Sequence, residues 1–336
     1  MAEDLAAIRL VLVGREAAEC LKALAADGGS VLAVFRRSAY LAHDGSDAIA
    51  CIGPAALGAG PLNALAGPDE ALPDWREAGL RPDSPVAPRN GGLRIGALHV
   101  LTFAGARLHD PPRDPHEWTG EGLAAALARL SDALSGFELS EGLAPLARPE
   151  NPALPSGSRL LRRAQPAISE LERWLADGAA PLPPRGAVER LIGLGPGLTP
   201  SGDDYLGGAM IALSTFGYPE LADALASPAL AAAPDGTNRI SAAHLRAAAK
   251  GLGADALHRS MDALARGDNR ALAESLRGLD AIGHSSGWDA LAGAVSALKG
   301  IDRRLRAQPD RSAAAVSAAP ALDAATTTPA SRSVST

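Results

Sequence analysis

Glycine, hydroxyl and acidic residues are concentrated in one stretch of this sequence, just before an apolar segment with helical spacing. The stretch contains Gly193, Gly195, Gly197, Thr199, Ser201, Gly202, Asp203 and Asp204. Glycines let a backbone approach a ligand closely. The two carboxylates would repel a bare phosphate, but they suit a metal-bridged phosphate or a ligand with N–H donors, such as an amide or carbamoyl group. A P-loop would have Lys and Ser/Thr at the positions of Asp203 and Asp204, so this is not a P-loop, and the Gly-x-Gly-x-Gly spacing is not a dinucleotide fingerprint.

A second stretch of the chain is a near copy of the first. Residues 201–213 align without a gap to residues 286–298, and the copy repeats the Ser-Gly-x-Asp start as Ser286, Gly287 and Asp289. Each copy follows a glycine-containing loop and opens a helical pattern. Helix N-termini present unpaired N–H groups and a positive dipole, so the two starts are predicted to face one shared cavity that holds a polar ligand.

The same residues have a purely structural interpretation. Ser201 with Asp204 and Ser286 with Asp289 both fit the Ser-x-x-Asp capping box, in which the acid bonds to the N–H of the cap residue. Asp203 has no counterpart in the second copy, where Trp288 occupies its position. Asp203 is therefore predicted to bind ligand or a cation and to have little structural duty, so that Asp203→Asn would keep most of the stability.

Two further segments carry polar groups before a helical pattern. In the first, Asn238, Arg239 and Ser241 follow one another closely, and Arg239 could hold a carboxylate or phosphate with two hydrogen bonds. The alternative is a surface Arg239 with Ser241 as the helix cap. In the second, His284 and Ser285 precede the second copy, and His284 could polarise a carbonyl or move a proton near neutral pH. The alternative is a hydrogen-bonded structural histidine.

Composition narrows the classes of function. The chain has 336 residues, 47% of them hydrophobic, with a formal net charge of −6, which argues against nucleic acid as the main partner. Two cysteines, Cys20 and Cys51, do not make a disulfide framework in a chain of this length. The acidic start lacks the basic region of a signal peptide, and no uncharged apolar run reaches the ~18 residues of a membrane span. We therefore expect no membrane association and a cytoplasmic location.

The hydrophobic period changes along the chain and predicts an α+β fold. An antiparallel β-rich domain over 1–118 is predicted, with one short helix at 16–26. The evidence is a series of alternating or short apolar runs at 31–35, 39–42, 48–52, 93–95 and 98–103. Asp44-Gly45 between two of these runs is a hairpin signal. Helical spacing from about Gly120 predicts a mainly α-helical domain over 119–306 that carries the glycine-rich motifs. The Ala/Ser/Thr/Pro composition of 307–336 predicts a disordered tail.

The first motif resembles the signature of a bacterial family, the AllH-like subunits of oxamate carbamoyltransferase. The similarity runs from Gly193 to Asp204 and on through Leu206-Gly207-Gly208. Weaker resemblances cover 60–65, 237–251 and 283–293, with Asn238 and Ser285 where the family has Thr. The resemblance therefore extends over most of residues 30–300.

The resemblance implies an activity and partners. It implies the exchange of a carbamoyl group between oxalurate and phosphate, giving oxamate and carbamoyl phosphate, in allantoin and purine nitrogen catabolism. It also implies other carbamoyltransferase subunits, one of them similar to acyl-CoA synthetases. Arg239 would then take a carboxylate or phosphate, Asp203 and Asp204 the carbamoyl N–H groups or Mg²⁺, and His284 the carbonyl. No other cofactor is implied.

Three hypotheses about function stay open at this point. The concentration of Asp, Arg, His and Gly residues in one half of the chain favours an enzyme subunit with its own active site. The absence of an unambiguous nucleophile or general base favours a non-catalytic subunit that binds ligand or acts as a scaffold. In the third hypothesis both motifs are only helix caps.

Overall fold

The computed structural model describes residues 6–97, 99–111, 118–150, 158–177 and 180–307. The predicted α+β class is confirmed: a β-rich N-terminal region is followed by a mainly helical C-terminal region. The predicted boundary near residue 118 adjoins 112–117, and the predicted tail falls almost entirely in 308–336; both segments lie outside the described residues. Among the described residues, no helix is long and apolar enough to cross a bilayer.

The N-terminal region is a nine-stranded sheet with one helix. Its elements are β1 (Ala6–Gly14), α1 (Arg15–Asp27), β2 (Gly29–Val34), β3 (Ala39–Ala42), β4 (Ile49–Pro54), β5 (Asn63–Ala66), β6 (Pro85–Arg89), β7 (Gly92–Ile95), β8 (His99–Thr102) and β9 (Arg107–His109). The strand order is β5-β4-β3-β2-β6-β7-β8-β1-β9, and an additional β5–β1 pairing closes the sheet into a barrel. Closure pairs strands that would otherwise be exposed edges.

Strand direction differs in part from the sequence expectation. The pairs β1–β8, β1–β9 and β4–β5 are parallel, whereas the other strand pairs described are antiparallel. The predicted short helix is α1, and its apolar face joins the core of the barrel through Cys20, Leu21 and Leu24. The sheet is therefore mixed, because β1 runs parallel to β8 and β9, and β5 runs parallel to β4.

The C-terminal region is built from nine helices in the part of the chain that the structure describes. They are α2 (Gly120–Leu134), α3 (Arg159–Ala176), α4 (Arg185–Leu191), α5 (Ser201–Thr215), α6 (Pro219–Gly236), α7 (Arg239–Ala249), α8 (Asp255–Arg266), α9 (Asn269–Asp280) and α10 (Ser286–Ala307). Helices α5 and α10 pack against each other along their length, and the other helices surround this pair. Because α5 is buried on nearly every side, it is apolar all round between its first turn and its last two residues.

Two hydrophobic cores meet at a small interface. One core holds barrel residues from Ile8 to Leu101, and the other holds helical residues from Leu123 to Ile301. A third cluster joins them, with Ala42, Ile49 and Leu62 from the barrel and Ile240 and Ala243 from α7. Helix α7 therefore fixes the helical region against the barrel.

Candidate functional site

The two predicted helix starts converge because α5 and α10 cross near their N-termini. The Thr199 and Ser286 hydroxyls lie 2.7 Å apart and share a hydrogen bond, although 87 positions separate them in sequence. In each loop the backbone N–H of the motif glycine donates to a carbonyl earlier in the chain, but the two turns differ in length. Gly202 N donates to Leu194 O at 2.9 Å, and Gly287 N donates to Ile282 O at 3.4 Å.

The loop before α5 needs glycine at two positions. Gly193 has a φ of +69°, and a Cβ there would lie 2.0 Å from Gly236 O. Gly195 has a φ of +127°, and a Cβ there would lie 2.8 Å from Ser201 N. Other residues rarely adopt these φ angles and would also clash, so Gly193 allows the loop to pack against the end of α6 and Gly195 allows it to pack against the start of α5.

A cavity of about 330 Å³ lies where the helix starts face the barrel. The barrel contributes Ser38, Tyr40, Cys51 and Asn63; the start of α5 contributes Thr199, Asp203, Asp204 and Gly207; α7 contributes Ser241 and His244; and the start of α10 contributes Ser286 and Gly287. Both copies of the repeat therefore line one cavity. The volume is at the lower end of the ~300–1,000 Å³ of ligand pockets, which suits a small ligand.

Asp204 is the acidic residue in this cavity that has an open hydrogen-bonding position. Its Oδ2 is inaccessible to water and has no hydrogen-bond partner within the chain. Removal from water and repulsion by Asp289 raise the pKa of Asp204 well above its usual value, against the opposing effect of the Ser286 and Thr199 hydroxyls. The site therefore favours a neutral, protonated Asp204 that can donate a hydrogen bond.

Asp203 is buried, and both of its carboxylate oxygens accept hydrogen bonds from the chain itself. Its Oδ1 accepts a hydrogen bond from Gly193 N at 2.8 Å, and its Oδ2 accepts from Thr237 Oγ1 at 2.5 Å and from Ser241 Oγ at 2.7 Å. These bonds tie the glycine loop to the start of α7. The expectation that Asp203 has little structural duty is therefore corrected, because sequence spacing did not show which donors surround it.

Asp289 also accepts hydrogen bonds from the chain, and it is not among the residues that line the cavity. Its Oδ1 accepts from Leu143 N at 2.5 Å and its Oδ2 from Ser285 Oγ at 2.8 Å. Burial raises the pKa of Asp289, and the hydrogen bond from the Ser201 hydroxyl opposes this shift most strongly. Asp289 and Ser285 therefore fix the segment around Leu143 to the start of α10.

The capping-box interpretation does not describe α5. Pro200 is its N-cap, and no side chain caps that helix end. Each serine instead faces the acid of the other copy: the Ser201 hydroxyl lowers the pKa of Asp289, and the Ser286 hydroxyl lowers the pKa of Asp204, against the larger effect of burial. The repeated motif therefore joins two helices to each other.

The residues at the start of α7 are structural. Asn238 is the N-cap, because its Oδ1 accepts from Ile240 N and Ser241 N at 3.0 and 3.1 Å and its Nδ2 donates to Leu198 O. Ser241 is therefore not the cap. Arg239 Nη2 donates to His43 O at 3.0 Å and to Ser46 O at 2.8 Å, in the turn between β3 and β4. The predicted anion-binding role of Arg239 is corrected to a bond between the helical region and the barrel.

His284 lies outside the cavity. Its side chain is 88% exposed, and its Nε2 lies 2.8 Å from Glu141 Oε2 in a surface groove. The structure therefore does not bring His284 together with the residues that line the cavity, and its catalytic role stays a prediction.

The cavity is also lined by three ionisable residues that the motifs did not indicate. His244 follows Ser241 by one helical turn, and burial lowers its pKa to about 4. Cys51 and Tyr40 lie side by side on β4 and β3, and burial raises the pKa of the Cys51 thiol to about 12. The position of His244, one turn beyond Ser241, is the only sequence signal that could have identified any of them.

The donor set at the helix starts does not fit Mg²⁺. Asp203 already accepts three hydrogen bonds from the chain, and among the described residues Asp204 is the one other carboxyl in the cavity wall. Magnesium takes ionised carboxylates and oxygen ligands in an octahedral arrangement. Within the described ranges, no group of three or more His, Cys, Asp or Glu side chains is placed to hold a metal ion.

Comparison with known proteins supports the resemblance noted in the sequence. Residues 191–298 match the model of a family described as the oxamate carbamoyltransferase subunit AllH. The matched segment contains α5, α7 and the first part of α10, and therefore Asp204, His244 and Ser286. No curated protein matches the chain. No solved structure matches it either.

Proposed function

We propose that this chain is a subunit of a carbamoyltransferase that exchanges a carbamoyl group between oxalurate and phosphate in allantoin and purine nitrogen catabolism. The observation that supports the proposal is the position of the cavity. The N-terminal ends of α5 and α10 form part of its wall, and both belong to the segment that is similar to oxamate carbamoyltransferase subunits. The barrel, which we assign to a domain over 1–118, closes the cavity opposite the helical domain over 119–306.

The side chains in the cavity suit a carbamoyl group. Such a group has one carbonyl oxygen that accepts hydrogen bonds and an NH₂ that donates them. A protonated Asp204 can donate to the carbonyl oxygen, and the neutral ring of His244 can accept an N–H. The Thr199 and Ser286 hydroxyls can serve either part, because a hydroxyl both donates and accepts.

The proposal includes partners and a location. The transfer would require other carbamoyltransferase subunits, one of them similar to acyl-CoA synthetases, and would take place in the cytoplasm. In this proposal the chain contributes the carbamoyl-binding cavity, and its own residues require no metal.

A second candidate is a non-catalytic subunit that binds ligand or acts as a scaffold. It is favoured by the protonation states in the cavity. A Cys51 thiol with a pKa of about 12 supplies little thiolate near neutral pH, and a His244 imidazole with a pKa of about 4 is a weak base. If this candidate is correct, the chemistry is performed by residues of a partner.

The test is an assay of the native assembly. The affinity-tagged chain is purified from its own host with the proteins that accompany it, and release of phosphate from carbamoyl phosphate is measured with and without oxamate. We expect oxamate-dependent release, with oxalurate as the second product, and its loss with Asp204→Leu. The exposed Asp223 on α6 provides a control, Asp223→Asn, that should retain the activity.

The outcomes separate the proposed reaction, with a ligand-binding cavity in this chain, from a scaffold role. An assembly without oxamate-dependent phosphate release would contradict the proposed reaction. An active assembly that is insensitive to Asp204→Leu and to His244→Gln would instead identify the chain as a scaffold.

A further inference from the structure

The wall of the cavity carries no cationic side chain among the residues that the structure describes. The residues that line it include no Lys and no Arg. Its ionisable groups are the carboxyls Asp203 and Asp204, the imidazole of His244, the thiol of Cys51 and the phenol of Tyr40. Both carboxylate oxygens of Asp203 already accept hydrogen bonds from the chain, which leaves few free positions for a cation that could in turn hold an anion.

The cations of the neighbouring helix α7 are held away from the cavity by the barrel. Arg239 bonds to the carbonyls of His43 and Ser46. Arg246 Nη2 donates to Asp47 O at 3.0 Å, and Lys250 Nζ lies 2.8 Å from Glu16 Oε2. An anion in the cavity would therefore gain no salt bridge from α7.

A charged group would be poorly stabilised in this cavity. Burial of an ion without a partner of opposite charge is strongly unfavourable. The N-terminus of α5 supplies only about half of a positive charge, and Asp203 and Asp204 already lie in its first turn. A phosphate or a carboxylate would thus meet acidic residues and no cation.

The open hydrogen-bonding position in the cavity suits an uncharged ligand. Asp204 Oδ2 is buried and unpaired, which is a state that a ligand atom would relieve. A neutral amide can pair with the carboxyl of Asp204 and with the imidazole of His244 without bringing charge into the site.

We propose, on the basis of the function proposed above, that the cavity holds only the uncharged carbamoyl end of the substrate. The carboxylate of the substrate then points out of the cavity, and the phosphate is bound by a partner subunit. This chain would accordingly recognise primary amides and ureido groups, and the anion-binding residues of the reaction would belong to another chain.

The test compares three probes on the purified full-length chain by isothermal titration calorimetry at pH 7. The probes are ethyl oxamate, which is uncharged, oxamate, which has the same amide beside a carboxylate, and inorganic phosphate. We expect ethyl oxamate to bind at least as tightly as oxamate, and phosphate neither to bind nor to displace ethyl oxamate. Phosphate that binds and competes, or oxamate that binds about tenfold or more tightly than its ester, would overturn the inference.

Substitutions locate the binding and test its chemistry. Asp204→Asn keeps a donor and an acceptor without charge, so the affinity for ethyl oxamate should stay within about threefold. Asp204→Leu removes the pairing and should weaken binding by about tenfold or more, as expected for loss of a buried hydrogen bond. Asp223→Asn is the control, and melting curves verify that each variant is folded. Equal affinity in all variants would show that the probe binds elsewhere, and would overturn the inference.

These measurements can fail separately from the proposed function. An active assembly whose isolated chain binds phosphate in the cavity would refute the neutral-ligand inference and leave the proposed reaction intact. Binding of ethyl oxamate by an assembly without oxamate-dependent activity would refute the reaction and support the inference about the ligand.

Discussion

Gly208 on α5 and Gly293 on α10 make equivalent contacts, because each lies against a backbone carbonyl of the other helix. A Cβ on Gly208 would lie 1.8 Å from Ala290 O, and a Cβ on Gly293 would lie 1.8 Å from Tyr205 O. Tyr205 and Ala290 are themselves equivalent positions of the repeat, so the two copies are related by an approximate twofold axis at this crossing. The close approach of the backbones is what allows the two helix starts to line one cavity.

We expect Gly208→Ala and Gly293→Ala each to lower the free energy of unfolding by about 1–3 kcal/mol or more, because each added methyl group would overlap a backbone carbonyl that cannot rotate away. Urea denaturation measures the change. Gly207→Ala is the matched control: its Cβ would lie 3.5 Å from the Cβ of Ala248, an ordinary contact, and alanine favours a helix by about 1 kcal/mol. Unchanged stability in the Gly208 and Gly293 variants would show that the helices can separate at little cost.

The second prediction concerns the three hydrogen bonds that Asp203 accepts. Asp203→Asn places an NH₂ group opposite donors from Gly193, Thr237 or Ser241, so at least one hydrogen bond is lost inside the core. We expect the free energy of unfolding to fall by about 1.5–3 kcal/mol, the range for hydrogen bonds to charged groups. The measurement is thermal or urea unfolding.

The control for this change is the exposed Asp223, where Asp223→Asn should alter the free energy of unfolding by less than about 0.5 kcal/mol. An Asp203→Asn variant as stable as the wild type would restore the original hypothesis that Asp203 is available to a ligand.

The repeat was the strongest sequence signal, and it located one wall of the cavity. Two Ser-Gly-x-Asp starts predicted two helix N-termini close together, and the structure places Thr199 and Ser286 in contact. The capping-box motif has the same residue spacing, however, so the position of Ser201 beside Asp289 of the other copy could not be predicted from either copy alone. Which acid a serine contacts depends on how the two helices pack.

The opposite wall of the cavity was not predictable from short-range patterns. The strand β1 was not predicted, and the segment 53–88, which has no clear periodicity, contains β5 and most of β6. These strands are defined by pairing with distant segments, such as β1 with β5 and β8. Helix α6 was also missed, because Pro228 and Pro234 lie inside it and proline normally interrupts a helix.

Residue type was a poor guide to the roles of Arg239 and His284. Both are side chains that often bind substrates. Arg239, however, donates hydrogen bonds to His43 and Ser46 in a turn of the barrel, and His284 lies at the surface beside Glu141. His244 carries little sequence signal of its own, because most of its neighbours along α7 are apolar. Its exposure to the cavity depends on the barrel, which local sequence does not describe.

The third prediction concerns the C-terminal tail. Residues 308–336 are rich in Ala, Ser, Thr and Pro and have no apolar period. A segment of this composition cannot bury enough apolar surface to offset its ordering entropy. Truncation after Ala307 should therefore leave the melting temperature within about 1 °C of the full chain, since no interaction that contributes even a few tenths of a kcal/mol is lost. A large decrease would show that the tail packs on the folded chain.

Asp204 should make the stability of the chain depend on pH in a direction opposite to that of most acids. Its pKa is raised in the folded chain by burial and by the neighbouring carboxylates Asp289 and Asp203; the hydroxyls of Ser286 and Thr199 oppose the shift. In the unfolded chain an aspartic acid titrates near a pKa of about 3.9. Between these two values the unfolded chain has released a proton that the folded chain retains, so the free energy of unfolding falls as the pH rises.

Asp204→Asn removes this effect, because the amide is close in shape to the neutral carboxyl and does not titrate. Subtracting the free energy of unfolding of the wild type from that of the variant isolates the contribution of Asp204 from those of other groups. We expect the difference to increase in favour of the variant as the pH rises above about 4, the pKa of an unfolded aspartic acid, and to level off above the folded pKa. Urea denaturation from pH 4 to pH 8 measures it, with Asp223→Asn as a control that should show no such trend. A difference that stays constant, or that favours the wild type increasingly as the pH rises, would mean that Asp204 is ionised in the folded chain and that the cavity is suited to a cationic group.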